Sequence, residues 1–159
     1  MRPFPTQPAE TTLALLPGAT FADAFSIDLD DAGLDAVSAA NLVFSSTPMW
    51  INRLLAVRNA VVRPFGLKVT NDTALRSADR IGFFPCLSRS PERVVLGFND
   101  AHLDFRIAVD AQSLAGTSKR FTATTIVKPH NLFGRMYLAT IMPFHKLIVP
   151  TMLRRVQQH

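Results

Sequence analysis

Apolar positions follow three different periods along this chain. From Asp30 to Gly66 they recur at helical spacing, from Arg80 to Lys128 they alternate, and beyond Asn131 they run almost unbroken. The three regimes predict helices, then an antiparallel sheet, then one long helix. Before them, Phe21, Phe25, Ile27 and Leu29 predict a first strand from about Phe25, ended by Asp30 and Asp31. Leu34, Val37, Ala40, Asn41 and Phe44 then share helical spacing, with Asp30 or Asp31 as the N-cap. In "STPMWINRLLAVRNAVVRPFG", Thr47 can cap and Pro48 suits a first helical turn. Trp50, Leu54, Val57 and Val61 make one core-facing stripe with Ile51, Leu55 and Val62 beside it, while Asn52, Ala56, Asn59 and Arg63 lie opposite.

Four alternating runs follow: "RIGFFPCLS", "RVVLGFN", "HLDFRIAVD" and "KRFTATTIVK". A two-residue turn at Asp100–Ala101 would set Phe98 against Leu103, Leu96 against Phe105 and Val94 against Ile107. A turn at Arg89–Glu92 would set Phe83 against Phe98 and Leu87 against Val94, and the loop after Val109 would bring Phe105 beside Thr125 and Leu103 beside Val127. Because strand side chains alternate between faces, this register gives one continuous apolar face over four strands. The other face would mix Phe84, Cys86, Val95 and Ile126 with polar residues, which points to a cover, such as a second copy of the chain.

The apolar run "MYLATIMPFHKLIVPTMLRR", Met136–Arg155, is long enough to suggest a membrane span. Lys146 near its middle opposes that reading, at roughly 2.5–3.5 kcal/mol for insertion, and His145 adds to the cost. The apolar sheet face needs a cover, so residues 131–156 are read as one helix laid across it. Asn131 is its cap, and Pro143 and Pro150 bend it. Attachment to a membrane surface is the lesser reading and stable insertion is not expected.

The 159 residues fit one domain over 13–159, behind a flexible arm of residues 1–12 that holds Pro3, Pro5 and Pro8. A single cysteine, Cys86, excludes an internal disulfide. The run Leu13–Leu16 is too short for the apolar part of a secretory leader, so a cytoplasmic location is expected. The net charge of +5 comes from scattered basic residues without a nucleic-acid-binding motif. Neither a phosphate loop nor zinc-ligand spacing is present, so no cofactor, metal or nucleic-acid partner is expected.

Two groups could carry chemistry. His102, Asp104 and Arg106 project to one side of a strand, with Thr124 and Lys128 on its neighbour. They could form a polar site, or a salt-bridged outer sheet surface. On the long helix Tyr137 and His145 are eight residues apart, near one face, where they line a cavity or fill the core. Tyr137 and Lys146, nine apart, lack the four-residue spacing of a dehydrogenase pair. Cys86 has no base adjacent in sequence and reads as a small apolar group.

The order of strand, two helices, antiparallel strands and long C-terminal helix resembles the helix-grip fold of START-like and Bet v 1-like (SRPBCC-type) proteins. More closely, the stretches "LLPGATFADAF", "RIGFFPCLSRSPERVVLGFNDAHLDFRIAV" and "PHNLFGRMYLATIMPFHKLIVPTMLRR" resemble a bacterial family of unknown function. That family also occurs as a tail behind short-chain-dehydrogenase-like domains. The resemblance implies an α+β helix-grip fold: a curved antiparallel sheet wrapped on a long C-terminal helix, with two shorter helices after the first strand. It also implies a cavity between sheet and helix. The expected function is a non-catalytic binding module for an apolar or amphipathic small molecule, walled by Phe83, Phe98, Phe105, Phe121, Tyr137, Ile141 and His145. One alternative is a cyclase- or hydrolase-like enzyme using His145, Tyr137 or Asp104 as acid or base. Another is an interaction subunit, dimerising through the outer sheet face or working with a reductase.

Overall fold

The long alternating run from Leu103 to Pro129 forms the centre of the sheet as two paired eleven-residue strands. A computed structural model describes residues 1–30, 33–45, 49, 53, 56, 60, 63–65, 80–82, 84–99 and 102–158. In chain order the elements are β1 (Phe4–Thr6), α1 (Glu10–Leu13), β2 (Phe21–Leu29), α2 (Ala36–Phe44), β3 (Arg80–Ile81), β4 (Phe84–Arg89), β5 (Arg93–Asn99), β6 (Leu103–Ser113), β7 (Lys119–Pro129) and α3 (Leu132–Leu153). Short 3-10 turns occupy Arg63–Phe65 and Arg154–Gln158. The seven strands lie in the order β1-β2-β7-β6-β5-β4-β3, every pair antiparallel. The expected α+β class is borne out, with the sheet curled against the long C-terminal helix. Of the predicted Trp50 helix only Met49, Arg53, Ala56 and Ala60 are described; all four are helical and exposed. Its apolar stripe, Trp50 included, lies outside the described residues, as does Phe83.

The pairing differs from the predicted register by two residues. Phe98 faces Phe105, Leu96 faces Ile107 and Val94 faces Val109; Phe105 faces Val127 and Ile107 faces Thr125. The turn after β5 is two residues longer than expected. A slip of two leaves every side chain on its assigned face, because the period is two. In β4 the assigned faces were reversed. A bulge separates the pairs Cys86–Leu96 and Ser88–Val95, and one extra residue flips the parity of a strand. Phe84 and Cys86 therefore pack with the core, and Leu87 is exposed.

The helix-facing side of the sheet holds the main core. Ile27, Val94, Leu96, Val109, Phe121 and Ala123 meet Ala36, Ala39, Ala40 and Val43 of α2, together with Met152, Leu153 and Val156 from the end of α3 and the turn after it. α2 lies over β5 and β6, and α3 over β2 and β7, so the cover is shared rather than left to the long helix. The N-cap of α2 is Asp35 and not Asp30 or Asp31: its carboxylate accepts the Ser38 N–H at 2.7 Å. That bond satisfies an amide that the first helical turn leaves unpaired.

The outer face has a cover within the chain. Ala24, Val95, Ala108, Thr124 and Ile126 are all buried there. Residues 1–12, expected as a flexible arm, carry β1 and most of α1. β1 pairs with β2, and Thr12 and Leu16 are buried. The Arg93 guanidinium donates to Thr12 Oγ1 at 2.8 Å and to Asp110, tying α1 to the outer side of β5 and β6. Phe4 lies beneath the Arg120 guanidinium, 5.3 Å from its ring centre, and Arg120 makes a two-pronged bond to Asp28. Of the outer apolar positions that suggested a second copy, Val95 and Ile126 are buried within the chain, and Phe84 and Cys86 turn to the core.

Candidate functional site

α3 begins where β7 ends. Asn131 caps it by accepting the Gly134 N–H at 2.9 Å, and its side-chain nitrogen reaches His102 Nδ1 at 2.9 Å. Pro143 and Pro150 remove the amides that would bond the Ala139 and Lys146 carbonyls, which loosens the ladder on which the helix depends. The helix presents two faces. Gly134, Leu138, Met152 and Leu153 are buried, and Tyr137, Ile141, Met142, His145, Ile148 and Val149 are half-buried on the same side. Leu132, Met136, Ala139, Pro143, Phe144 and Leu147 are exposed on the other.

Beneath the first half of α3 the sheet supplies a row of apolar side chains across four strands. Phe98, Phe105, Val127 and Phe21 are successive cross-strand partners. Phe98 and Phe105 meet edge to face with ring centres 4.4 Å apart, and Phe84 extends the row at 5.7 Å from Phe105. Leu138, Tyr137 and Met142 of the helix pack onto this row. Phe105 and Tyr137 stay half-buried here, whereas Phe121, also predicted as wall, is fully enclosed in the main core.

The next row holds a charge. Asp23 of β2 faces the helix, beside Thr125. Its Oδ1 lies 3.0 Å from His145 Nε2, with both side chains mostly buried. The Phe21 ring stands edge-on to the imidazole at 6.2 Å. Asp23 Oδ2 is buried and has no hydrogen-bond partner in the described structure. A buried carboxylate oxygen left unpaired is costly, so this atom stands out beside the apolar row. Asp23 was not among the predicted site residues. Its signal is present in "FADAFSI": it shares the inward parity of Phe21, Phe25 and Ile27.

The predicted polar group splits up. His130 Nε2 bonds Asp104 Oδ1 at 2.9 Å. His102 joins the Asn131 cap and leans on the Phe133 ring at 4.7 Å. Arg106 turns back to the main chain, donating to the Phe98 and Phe105 carbonyl oxygens at 3.3 and 2.8 Å. His102 and Asp104 therefore brace the corner between sheet and helix, while Arg106 ties β5 to β6 within the sheet. An open surface depression of about 320 Å³ lies at the start of β2, lined by Leu13, Leu16 and residues 18–22, so Phe21 belongs to both its lining and the apolar row. Among the described residues no group of three or more His, Cys, Asp or Glu side chains is placed to hold a metal ion.

Residues 15–152 match the family described as "Protein of unknown function (DUF2867)". The chain belongs to this family. No curated protein and no solved structure matches it. The matched span runs from Leu15, at the outer cover, through the Asp23–His145 pair to Met152, so the whole site lies inside the family's domain.

Proposed function

We propose that this DUF2867 domain is a non-catalytic binding module for a small amphipathic molecule, held between the sheet and α3. The observation that carries the reading is the unpaired Asp23 Oδ2 beside a half-buried aromatic row. Small-molecule sites are mostly apolar, with a few polar groups that fix orientation. Phe84, Phe98, Phe105 and Phe21 would form the floor, with Tyr137 and Ile141 as the wall. Asp23, braced by His145, would accept a hydrogen bond from the polar end of the ligand. The prolines of α3 suit such a role, because a helix with two missing ladder bonds opens more readily.

The enzyme reading has one supporting feature, the Asp23–His145 hydrogen bond, since a carboxylate can orient an imidazole as a base. It would use the same site. A fluorescent polyene fatty acid tests the binding reading. Its emission should rise saturably on addition of the protein, and Phe105→Asp should abolish the rise while the fold is retained. A linear, unsaturable response, or equal binding by the variant, would defeat the proposal. Turnover of an ester or lactone panel, lost in His145→Gln, would favour the enzyme instead.

A further inference from the structure

We infer that the outward face of α3 is a docking surface for an anionic lipid bilayer. This inference rests on that face alone and holds or fails independently of any ligand beneath the helix. The relative exposures of Leu132, Met136, Phe144 and Leu147 are 72%, 60%, 48% and 59%. With Ala139 and Pro143 they make an apolar ridge along α3 from Leu132 to Leu147. Large apolar side chains scattered singly on a surface need no explanation, but a continuous ridge does. Within the segment Leu132–Gln158, the most apolar window has a mean hydropathy of 1.2, yet only 11% of it is buried.

Charge names the occupant. From Ala111 to His159 there is no Asp or Glu, against seven Lys and Arg residues. Arg135 and Lys146 are both exposed and stand eleven residues apart, about three helical turns. That spacing puts them along one edge of the ridge, and Arg154 stands exposed at the end of α3. An apolar stripe with a cationic edge and no anions matches an acidic lipid surface. The opposite face of α3 is committed to the sheet through Leu138, Met152, Leu153 and the His145–Asp23 bond, so the helix would lie in the interface and not cross it. Pro143 and Pro150 interrupt the straight seam that a packed partner helix needs, while a fluid interface makes no such demand.

Co-sedimentation of the full chain with vesicles tests this, using phosphatidylcholine alone and phosphatidylcholine mixed with phosphatidylserine. The protein should pellet with the mixed vesicles and far less with the neutral ones. Met136→Asp and Leu147→Asp should each weaken binding at least about tenfold. Arg135→Glu with Lys146→Glu should remove the preference for phosphatidylserine. Circular dichroism checks that each variant is folded; should an aspartate variant unfold, the charge-reversal pair carries the same test. Protein left in the supernatant with both vesicle types would overturn the inference, and so would binding unchanged in the folded variants. A wild-type dimer that Met136→Asp converts to monomer would also overturn it, by assigning the ridge to a protein contact.

Discussion

Gly134→Ala separates local propensity from tertiary packing, because the two predict opposite signs. Alanine in place of glycine inside a helix ordinarily gains about 0.5–1 kcal/mol. At Gly134 an added Cβ would stand 2.2 Å from the His102 carbonyl oxygen and 3.1 Å from its carbon. Both are main-chain atoms. The oxygen is further held by the His130 N–H at 2.8 Å, so it cannot swing aside as a flexible side-chain tip would. Pro129 Cβ, at 3.3 Å, closes another direction. Overpacking of this kind costs roughly 1–3 kcal/mol, occasionally more. Lifting the first turn of α3 would also strain the Asn131 cap, whose loss alone costs about 1 kcal/mol. After the propensity gain, the net expectation is destabilisation of about 1–3 kcal/mol. Urea unfolding followed by circular dichroism at the helix band reads this directly. A midpoint equal to or above that of wild type would refute the close approach of α3 to the start of β6.

Three further outcomes follow from the packing and the charges. Phe121→Ala should cost about 3–5 kcal/mol in urea melts, since the ring is fully enclosed; a loss below about 1 kcal/mol would mean the core is centred elsewhere. Asp35→Ala should cost about 1 kcal/mol at neutral pH through loss of the α2 cap. The Ser38 main-chain N–H holds the Asp35 carboxyl below its ordinary value of 3.8, so the folded state binds this proton less readily than the unfolded state does. The stability it contributes is present above that value and is lost as pH falls below it, so the gap between wild type and variant should close in acid; a gap that is constant with pH would contradict the cap. Removing residues 1–18 should uncover Val95, Ala108 and Ile126 and lower the urea midpoint, with aggregation visible in light scattering; an unchanged midpoint would mean that the segment covers nothing.

The sheet was legible because alternation is a strong signal: β5, β6 and β7 have the faces that the pattern assigns to Val94, Ile107 and Phe121. Their register was not, because the turn after Asn99 carries no two-residue hairpin signature, and a slip of two costs the pattern nothing. The reversal at Phe84 and Cys86 comes from one bulge residue, which no hydrophobic pattern announces. The outer cover was missed for another reason. Three prolines suggested a free arm, yet a short edge strand tolerates proline and Pro5 sits in β1. At the site, His145 was visible as a polar break in an apolar helix. Its partner Asp23 is 122 residues away in sequence and comes into view only once the parity of β2 is known. Arg106 was misassigned because the nearest carboxylate in sequence, Asp104, bonds His130, while the guanidinium turns to main-chain oxygens.

The proposed ligand site is tested most directly by weighing the protein. Native mass spectrometry of the full chain, purified without detergent, is compared with its mass after denaturation. The account predicts a native mass above the denatured one by a single small molecule, released on unfolding and absent from a folded Asp23→Leu variant. Native and denatured masses that agree apart from salt and water would contradict it.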